Sequence, residues 1–307
     1  MRDLLVVGHL CIDYVSFRWV SQRRALGGPP AYTSLAALAV GATVSIVSTV
    51  GADFPGEYVE LLSSAGVDTS GLKFVDAAST SYQLVYERGG RRLKLRSLAP
   101  PITSGDIPRE RFRAAHASPI AGELSVEVLD ELRSRADVLS LDPQGFVRGF
   151  DEDGYVHGVE WMDRHALSLV DVVKASSDEL RLVSGFSSLR RGVDALHGAG
   201  VDVVVVTLGE RGSIVSSEGV VYHIPTCKPR VVVDPTGAGD AYIGAFLAEY
   251  VRGREAAWCG CVGSAAASLM VEAAGPIPIR DTDEIMKRAS EAWDATRRLD
   301  IGDALIF

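Results

Sequence analysis

Apolar strand signals alternate with amphipathic helix signals along the chain, and this rhythm restricts the fold more than any other feature. Leu4-Leu5-Val6-Val7, Val44 to Val50, Val138 to Leu141, Val170 to Val173 and Val203 to Val206 each read as a buried strand. Between them lie amphipathic stretches such as Glu57 to Ala65, Ser125 to Arg135 and Leu189 to Gly198. Continuous apolar strands are buried on both faces, so the pattern implies a mostly parallel sheet with helices above and below it. Ligands in such folds bind at the carboxyl ends of the strands. With no internal repeat, low-complexity tract or interdomain linker, one domain over 1–307 is expected.

Two segments break the rhythm. Ser81 to Glu87 and Arg91 to Arg96 flank Gly89-Gly90, which marks a β-hairpin with a two-residue turn. Tyr14 to Val20 reads as a further extended piece. Together they predict a small β-lid, approximately 14–26 and 80–98, inserted into the α/β body.

Charge and composition remove several function classes. The 31 basic and 40 acidic residues give a formal charge of −9. A nucleic-acid partner is therefore not expected, because it needs a basic surface. The longest uncharged run, Ala25 to Ala52, exceeds the roughly 20 residues of a membrane span. It contains Gly27-Gly28-Pro29-Pro30 and several Ser and Thr, however, and reads as loop, then helix, then strand. No membrane association is expected. Met1-Arg2-Asp3 runs straight into a strand without a signal-peptide layout, which predicts a cytoplasmic protein. Cys11, Cys227, Cys259 and Cys261 are too few and scattered for a disulfide framework, and Cys259-Gly-Cys261 reads as helical core. The six His show no metal spacing, and His9 and His116 read as core or surface residues. There is no Asn at all, which fits either a thermophile or a genomic base bias.

Two common nucleotide signatures are missing. No Lys follows a Gly, so there is no P-loop, and the first strand leads into Gly8-His-Leu-Cys-Ile-Asp13 rather than a dinucleotide fingerprint. The informative stretch is Val231-Val-Val-Asp234-Pro-Thr236-Gly-Ala-Gly239-Asp240. After it, Ile243, Phe246, Leu247, Tyr250 and Val251 mark one apolar helix face, and Thr236 suits the N-cap. A glycine-rich turn at a helix N-terminus offers backbone N–H groups and a favourable dipole to an anion. A carboxylate beside that anion serves no purpose in holding phosphate, because like charges repel. It does serve as a base that takes the proton of an attacking hydroxyl. Gly237, Ala238, Gly239 and Asp240 together thus point to phosphoryl transfer from a nucleotide to an alcohol.

Asp-Pro-Thr-Gly-Ala-Gly-Asp resembles the C-terminal signature of the ribokinase (PfkB) family of carbohydrate kinases. Val7-Gly8-His-Leu-Cys-Ile-Asp13 is similar to the family's first strand, whose Asp binds substrate hydroxyls. Leu26-Gly27-Gly28-Pro-Pro resembles the glycine pair that hinges the lid and contacts substrate. Gly51-Ala-Asp53 and Ala65-Gly-Val-Asp68-Thr-Ser-Gly-Leu72 are similar to structural segments, and Val206-Thr207-Leu-Gly209-Glu-Arg-Gly212 to the nucleotide-site loop. The resemblance covers about residues 4 to 275. It implies a three-layer α/β/α fold with a β-strand lid, ATP as donor and Mg2+ as cofactor.

Three family Asn positions carry other residues here: Tyr32 after the glycine pair, Gln144 in Asp142-Pro-Gln-Gly-Phe-Val-Arg148, and Ser176 in Lys174-Ala-Ser-Ser-Asp-Glu179. Leu-Gly-Gly followed by Ala31-Tyr32, the Tyr82–Leu95 hairpin and Asp142-x-Gln-Gly-Phe-x-Arg148 look like the archaeal myo-inositol kinases, and the last string is also similar to the plant ones. The resemblance implies a myo-inositol 3-kinase-like activity. A nucleoside or ribose/fructose-type sugar kinase is the alternative, and a non-catalytic sugar-binding pseudokinase a remote one.

Carried onto this chain, the resemblance places Asp13, Gly27, Gly28, Tyr32, Gln144 and Arg148 at the substrate, and Lys174, Ser176, Glu179, Thr207, Gly209 and Gly212 at the nucleotide. Glu179 is the magnesium residue, acting through water. Asp234 suits either ordering of the turn or a monovalent cation. Arg148 suits a grip on substrate or γ-phosphate, or an ion pair. Arg92, Lys94 and Arg96 share one hairpin face, which either steers ATP or faces solvent. The partners implied are a small polyol and a nucleotide, for a monomer or a homodimer.

Overall fold

Along β1 (Arg2–Val7), Leu4 and Val6 enter one apolar cluster while Leu5 and Val7 enter another. This period of two places a core on each face of the strand. The computed structural model describes residues 1–17, 20–87 and 90–299. After β1 come β2 (Cys11–Phe17), β3 (Val20–Gly27), α1 (Pro29–Ala39), β4 (Val44–Gly51), α2 (Gly56–Ala65), β5 (Asp68–Val75), β6 (Ser81–Glu87) and β7 (Gly90–Ser97). The middle of the chain forms β8 (Phe112–Ala117), α3 (Val126–Arg135), β9 (Ala136–Leu141), β10 (Arg148–Phe150), β11 (Val156–Gly158), α4 (Arg164–Ser168), β12 (Val172–Ser176), α5 (Ser177–Ser184) and α6 (Leu189–Gly198). It ends in β13 (Val203–Thr207), β14 (Ser213–Ser217), β15 (Val220–Ile224), α7 (Ala238–Tyr250), α8 (Ala256–Met270), α9 (Thr282–Ala295) and β16 (Arg297–Leu299).

A ten-stranded sheet runs in the order β16-β15-β14-β13-β12-β9-β8-β1-β4-β5. From β13 to β5 its neighbours are parallel, and β14, β15 and β16 add an antiparallel edge. One face packs on α1, α2, α7, α8 and α9 through residues such as Leu35, Leu62, Phe246, Val262 and Ile285. The other packs on α3 to α6 through Leu129, Leu132, Leu167, Leu180 and Leu196. This is the three-layer, mostly parallel α/β/α arrangement of the ribokinase-like fold. Cys259 and Cys261 lie buried in α8, as the small-residue pattern suggests, and His9 and His116 are fully buried.

A separate four-stranded sheet, ordered β3-β2-β6-β7, occupies the segments that broke the rhythm. β2 and β6 are its parallel centre, and β3 and β7 fold back antiparallel on either side. Residue 89 of the expected Gly89-Gly90 turn, and residues 18 and 19 of the Tyr14 to Val20 piece, lie outside the described residues.

Several expectations are corrected. The start of the Ala25–Ala52 run is the end of strand β3 rather than loop, because Cys11 to Val15 pair with Arg23 to Gly27. Asp13 does not close β1. It sits inside β2, in register with Ala25 and Tyr82. The Val170–Val173 strand begins at Val172 and extends to Ser176, because β13 pairs with it as far as Ser176↔Thr207, so Lys174 lies within the strand. α7 is not one-faced. It is buried continuously from Ala241 to Glu249, since α1 and α8 flank it in the same core. Its N-cap is Gly237 rather than Thr236, because the chain turns left-handed at Gly237 with φ 76°.

Candidate active site

The N-terminus of α7 forms a partition between two clefts. Thr236, Gly237 and Asp240 line the first, while Pro235, Ala238 and Gly239 line the second. The first turn of one helix thus faces both spaces. Gly237 must be glycine twice over. Its φ of 76° is left-handed, and a Cβ there would lie 2.1 Å from the Tyr32 ring. The Asp234 carboxylate accepts from the Thr236 amide at 2.9 Å and so orders this turn. The Ala238 amide bends back toward the Pro235 carbonyl over a long 3.4 Å.

The first cleft holds the polar side chains Asp13, Gln144, Arg148 and Asp240, with Gly28 and Tyr32 in its wall. Tyr82, Leu84, Leu93 and Ile120 form a further part of its wall. Gly27 lies directly against Asp13, since a Cβ on it would come 2.2 Å from the carboxylate. Burial of Asp240 pushes its carboxyl up to about 6, with Asp142 and Glu179 adding to the shift and Lys174 and Arg148 opposing it. A carboxyl tuned in this way takes up a proton more readily than an exposed one.

Gln144 joins Arg148 to Asp240. Its Nε2 donates to Asp240 Oδ1 at 3.4 Å, and its Oε1 accepts from Arg148 Nη2 at 2.6 Å. The second amino group of Arg148 donates to the Ile120 carbonyl at 3.4 Å. Both arms of the fork therefore engage protein groups at the cleft wall, and among the described residues neither makes a surface ion pair.

Beneath the partition, Lys174 Nζ donates to Asp142 Oδ2 at 2.6 Å, and both side chains are nearly inaccessible. Burial alone disfavours the Lys174 charge, but Asp142, Glu179 and Asp240 more than restore it and hold the ammonium protonated. Lys174 lies against Gly239, where a Cβ would come 2.7 Å from Nζ. Ser176 caps α5 in a reciprocal box, with Glu179 N donating to Ser176 Oγ at 3.3 Å and Ser176 N to Glu179 Oε2 at 2.8 Å. Ser176 thus has a local structural use.

The second cleft brings Thr207, Gly209 and Gly212 to Ala238 and Gly239. Val232, Tyr242, Ala267 and Val271 make much of its lining apolar. With roughly 880 Å3 of open space it is larger than the first, which has roughly 500 Å3. Arg92, Lys94 and Arg96 line neither cleft. Arg92 and Lys94 lie over the Tyr155 ring and Arg96 over Tyr14.

Sequence reasoning missed two polar residues lining the first cleft, Cys11 and Tyr82, and a third behind its wall, Glu123. Cys11 Sγ donates to Asp13 Oδ1 at 3.2 Å. It lies two residues before Asp13 on the same strand face, so period-two spacing was a usable signal. Tyr82 donates its hydroxyl to the Ile120 carbonyl at 2.8 Å. The buried Glu123 carboxylate accepts from the amides of His9, Ile120 and Ala121 at 2.8 to 3.0 Å and holds the Ile120 wall in place. Nothing local marks Glu123, because a Glu in a loop ordinarily reads as solvated. Among the described residues no group of three or more His, Cys, Asp or Glu is arranged to hold a metal, and no helix is long and apolar enough to cross a membrane.

Comparison with known proteins shows the family. Residues 1–283 match the family described as pfkB family carbohydrate kinase. A cytidine kinase of Thermococcus kodakarensis is 32% identical over 275 residues, covering 86% of this chain and 94% of that protein. A nucleoside kinase of Methanothermobacter thermautotrophicus is 32% identical over 311 residues, covering 95% and 97%. An inositol 3-kinase of Arabidopsis thaliana is 28% identical over 285 residues, covering 89% and 75%. Among solved structures, a pyrophosphate-dependent kinase in the ribokinase family, complexed with a pyrophosphate analog and myo-inositol, superposes with a TM-score of 0.80. It is 22% identical and covers 92% of this chain and 99% of that one.

Proposed function

The chain belongs to the pfkB family of carbohydrate kinases, and on that premise we propose that it transfers the γ-phosphoryl group of ATP to a ribose hydroxyl of a nucleoside, with Asp240 as base. The observation that carries this reading is the partition. Asp240 faces one cleft while Ala238 and Gly239, on the same helical turn, face the other. A donor in the second cleft and an acceptor in the first would meet across one helix N-terminus.

In this mechanism the acceptor hydroxyl lies beside Asp240, which takes its proton as the oxygen attacks the γ-phosphorus. The bond from that phosphorus to the bridging oxygen breaks, and ADP leaves with the electron pair. The backbone N–H groups of Gly237, Ala238 and Gly239 and the dipole of α7 stabilise charge on the transferring oxygens. Lys174 adds fixed positive charge behind Gly239. The donor set suits magnesium held mainly by phosphate oxygens and water, because Glu179 is one carboxylate and one of its oxygens already caps α5. Magnesium, when bound, neutralises phosphate charge. Thr207, Gly209 and Gly212 belong to the nucleotide side. The apolar stretch of Val232, Ala267 and Val271 suits an adenine ring and gives a bare pyrophosphate donor nothing to bind. Asp234 is taken as a turn residue, and titrating K+ into the assay tests the monovalent-cation alternative.

The acceptor cleft is lined by two chemically distinct sets of side chains. Asp13, Gln144 and Arg148 suit hydroxyls, whereas Tyr82, Leu84, Leu93 and Ile120 suit an uncharged planar group. A nucleoside has both parts, and the relatives at 32% identity are named for cytidine and nucleosides. Myo-inositol is the second reading, supported by the inositol 3-kinase relative. An ADP-release screen over cytidine, adenosine, myo-inositol, ribose and fructose separates the two. Turnover on a nucleoside is expected, and turnover on myo-inositol alone overturns the nucleoside reading. Asp240→Asn is expected to lower kcat by roughly a hundredfold or more while ATP binding survives. Near-normal turnover in that variant sinks the base assignment.

A further inference from the structure

β7 is an edge strand of the four-stranded sheet, and an edge strand presents unpaired backbone groups unless something covers it. The β10–β11 hairpin covers part of it. The Leu95 amide donates to the Gly154 carbonyl at 2.8 Å, and Lys94 and Tyr155 form an antiparallel bridge. Two cations close on the same ring, with the Arg92 guanidinium 3.9 Å and the Lys94 ammonium 5.3 Å from the Tyr155 centroid. On the inner side, Leu93 and Leu95 of β7 and Phe150 and Val156 of the hairpin pack against one buried cluster that includes Tyr82 and Leu84. Both partners reach the acceptor cleft, β7 through Leu93 and the hairpin through Arg148, its first residue.

We propose that Tyr155 is a positioning residue whose ring clamps the β7 edge, and with it Leu93, onto the hairpin that carries Arg148. The backbone contact is short and the clamp is a pair of cation–π contacts near the surface, individually weak. Such a fastening holds the sheet over an occupied cleft yet lets it part for exchange of acceptor and product. Arg92 and Lys94 of β7 therefore have a use as a latch on the cleft rather than as a guide for ATP.

This inference rests on the kinase reading, and its test has one arm that does not. With cytidine and myo-inositol as acceptors, Tyr155→Ala is expected to raise acceptor KM roughly three- to tenfold. It should also raise ATP hydrolysis without acceptor and leave the KM for ATP unchanged. Tyr155→Phe keeps the ring face and should match the parent. Arg92→Ala should give part of the effect, and adding it to Tyr155→Ala should give nothing more. An unchanged acceptor KM in Tyr155→Ala, equal impairment in Tyr155→Phe, or full additivity with Arg92→Ala overturns the clamp. A parent chain that phosphorylates neither acceptor counts against the cytidine and myo-inositol readings of the site. The latch is then judged by hydrogen exchange at the Leu95 amide. Faster exchange in Tyr155→Ala but not in Tyr155→Phe supports it, and equal exchange in all three proteins overturns it.

Discussion

Gln144 donates to the Asp240 carboxylate across 3.4 Å while accepting from Arg148, so one amide stands between the proposed base and the Arg148 guanidinium. Burial raises the Asp240 carboxyl to about 6, with Lys174 and Arg148 pulling the other way. Asp142 and Glu179 face it from the β9 and α5 sides and add to the rise. The base works ionised, so kcat should fall as pH drops through about 6. Arg148→Met removes one opposing cation, and its acid limb should move to higher pH. A kcat–pH profile of both proteins, between pH values of about 5 and 9, checks this.

The same carboxyl has a stability consequence of opposite sign. Its pKa is raised in the folded chain above the 3.8 of a free Asp, so folding takes up a proton between those two values. Stability from this group is full below the lower value and lost as pH rises through about 6. Asp240→Asn, which removes the buried charge, should therefore melt higher than the parent at neutral pH. Thermal melts at neutral and at acid pH should show the gap closing as the medium becomes more acidic.

Lys174 and Asp142 make the most deeply buried ion pair among the described residues, at 2.6 Å with side-chain exposures of 7% and 0%. Removing one partner from such a pair strands a charge and costs on the order of 3–5 kcal/mol. Asp142→Ala should lose stability on that scale in denaturant titration. The joint change Lys174→Met with Asp142→Leu should lose less, because neither charge of the pair is left without the other. The Asp142→Ala loss should also exceed that of Lys73→Ala, whose bond to Asp106 lies half-exposed at the surface.

What was legible in the sequence follows from how local each cause is. The Val172, Val203 and Val44 runs announced strands because burial on both faces needs contiguous apolar residues. Asp240 and its glycines were legible because a helix N-terminus is built within a few residues. Ser176 and Glu179 show a capping box by their spacing alone. The wall of the first cleft was not legible in the same way. Tyr82, Leu93, Ile120 and Arg148 come from four separate segments, and only tertiary pairing brings them together. The element carrying Asp13 was misplaced because β2 follows β1 after a short turn and continues into a different sheet. The bonding of Arg148 was hidden for a simpler reason, since its acceptors include a backbone carbonyl.

Two glycines of the α7 turn should differ sharply under the same substitution. At Gly237 alanine meets both a left-handed φ of 76° and the Tyr32 ring at 2.1 Å, and that ring is packed and cannot swing away. At Gly239 the obstacle is the end of the Lys174 side chain at 2.7 Å. Gly237→Ala should distort the turn and cut kcat at least tenfold. Gly239→Ala should chiefly displace Lys174, weakening ATP binding with a smaller fall in kcat. Steady-state kinetics with ATP varied, alongside a melt to exclude unfolding, separates the two.

Gly27 gives the most selective test of the acceptor side. A Cβ there would come 2.2 Å from the Asp13 carboxylate, and Asp13 itself lies 7% exposed in β2 with Cys11 donating to it. Backbone strain is not at issue, because the φ of Gly27 is outside the left-handed range, so the methyl acts mainly by pushing the carboxylate aside. If Asp13 holds acceptor hydroxyls, Gly27→Ala should raise acceptor KM by about tenfold or more, the scale of one lost charged hydrogen bond. ATP binding, on the far side of the α7 partition, should be unchanged. Cys11→Ser keeps a donor toward Asp13 and should be mild, whereas Cys11→Ala should fall between the parent and Gly27→Ala. Equal damage to acceptor and ATP binding in Gly27→Ala would mean that the two clefts are not separately built, and the assignment of Asp13 to the acceptor side would fall.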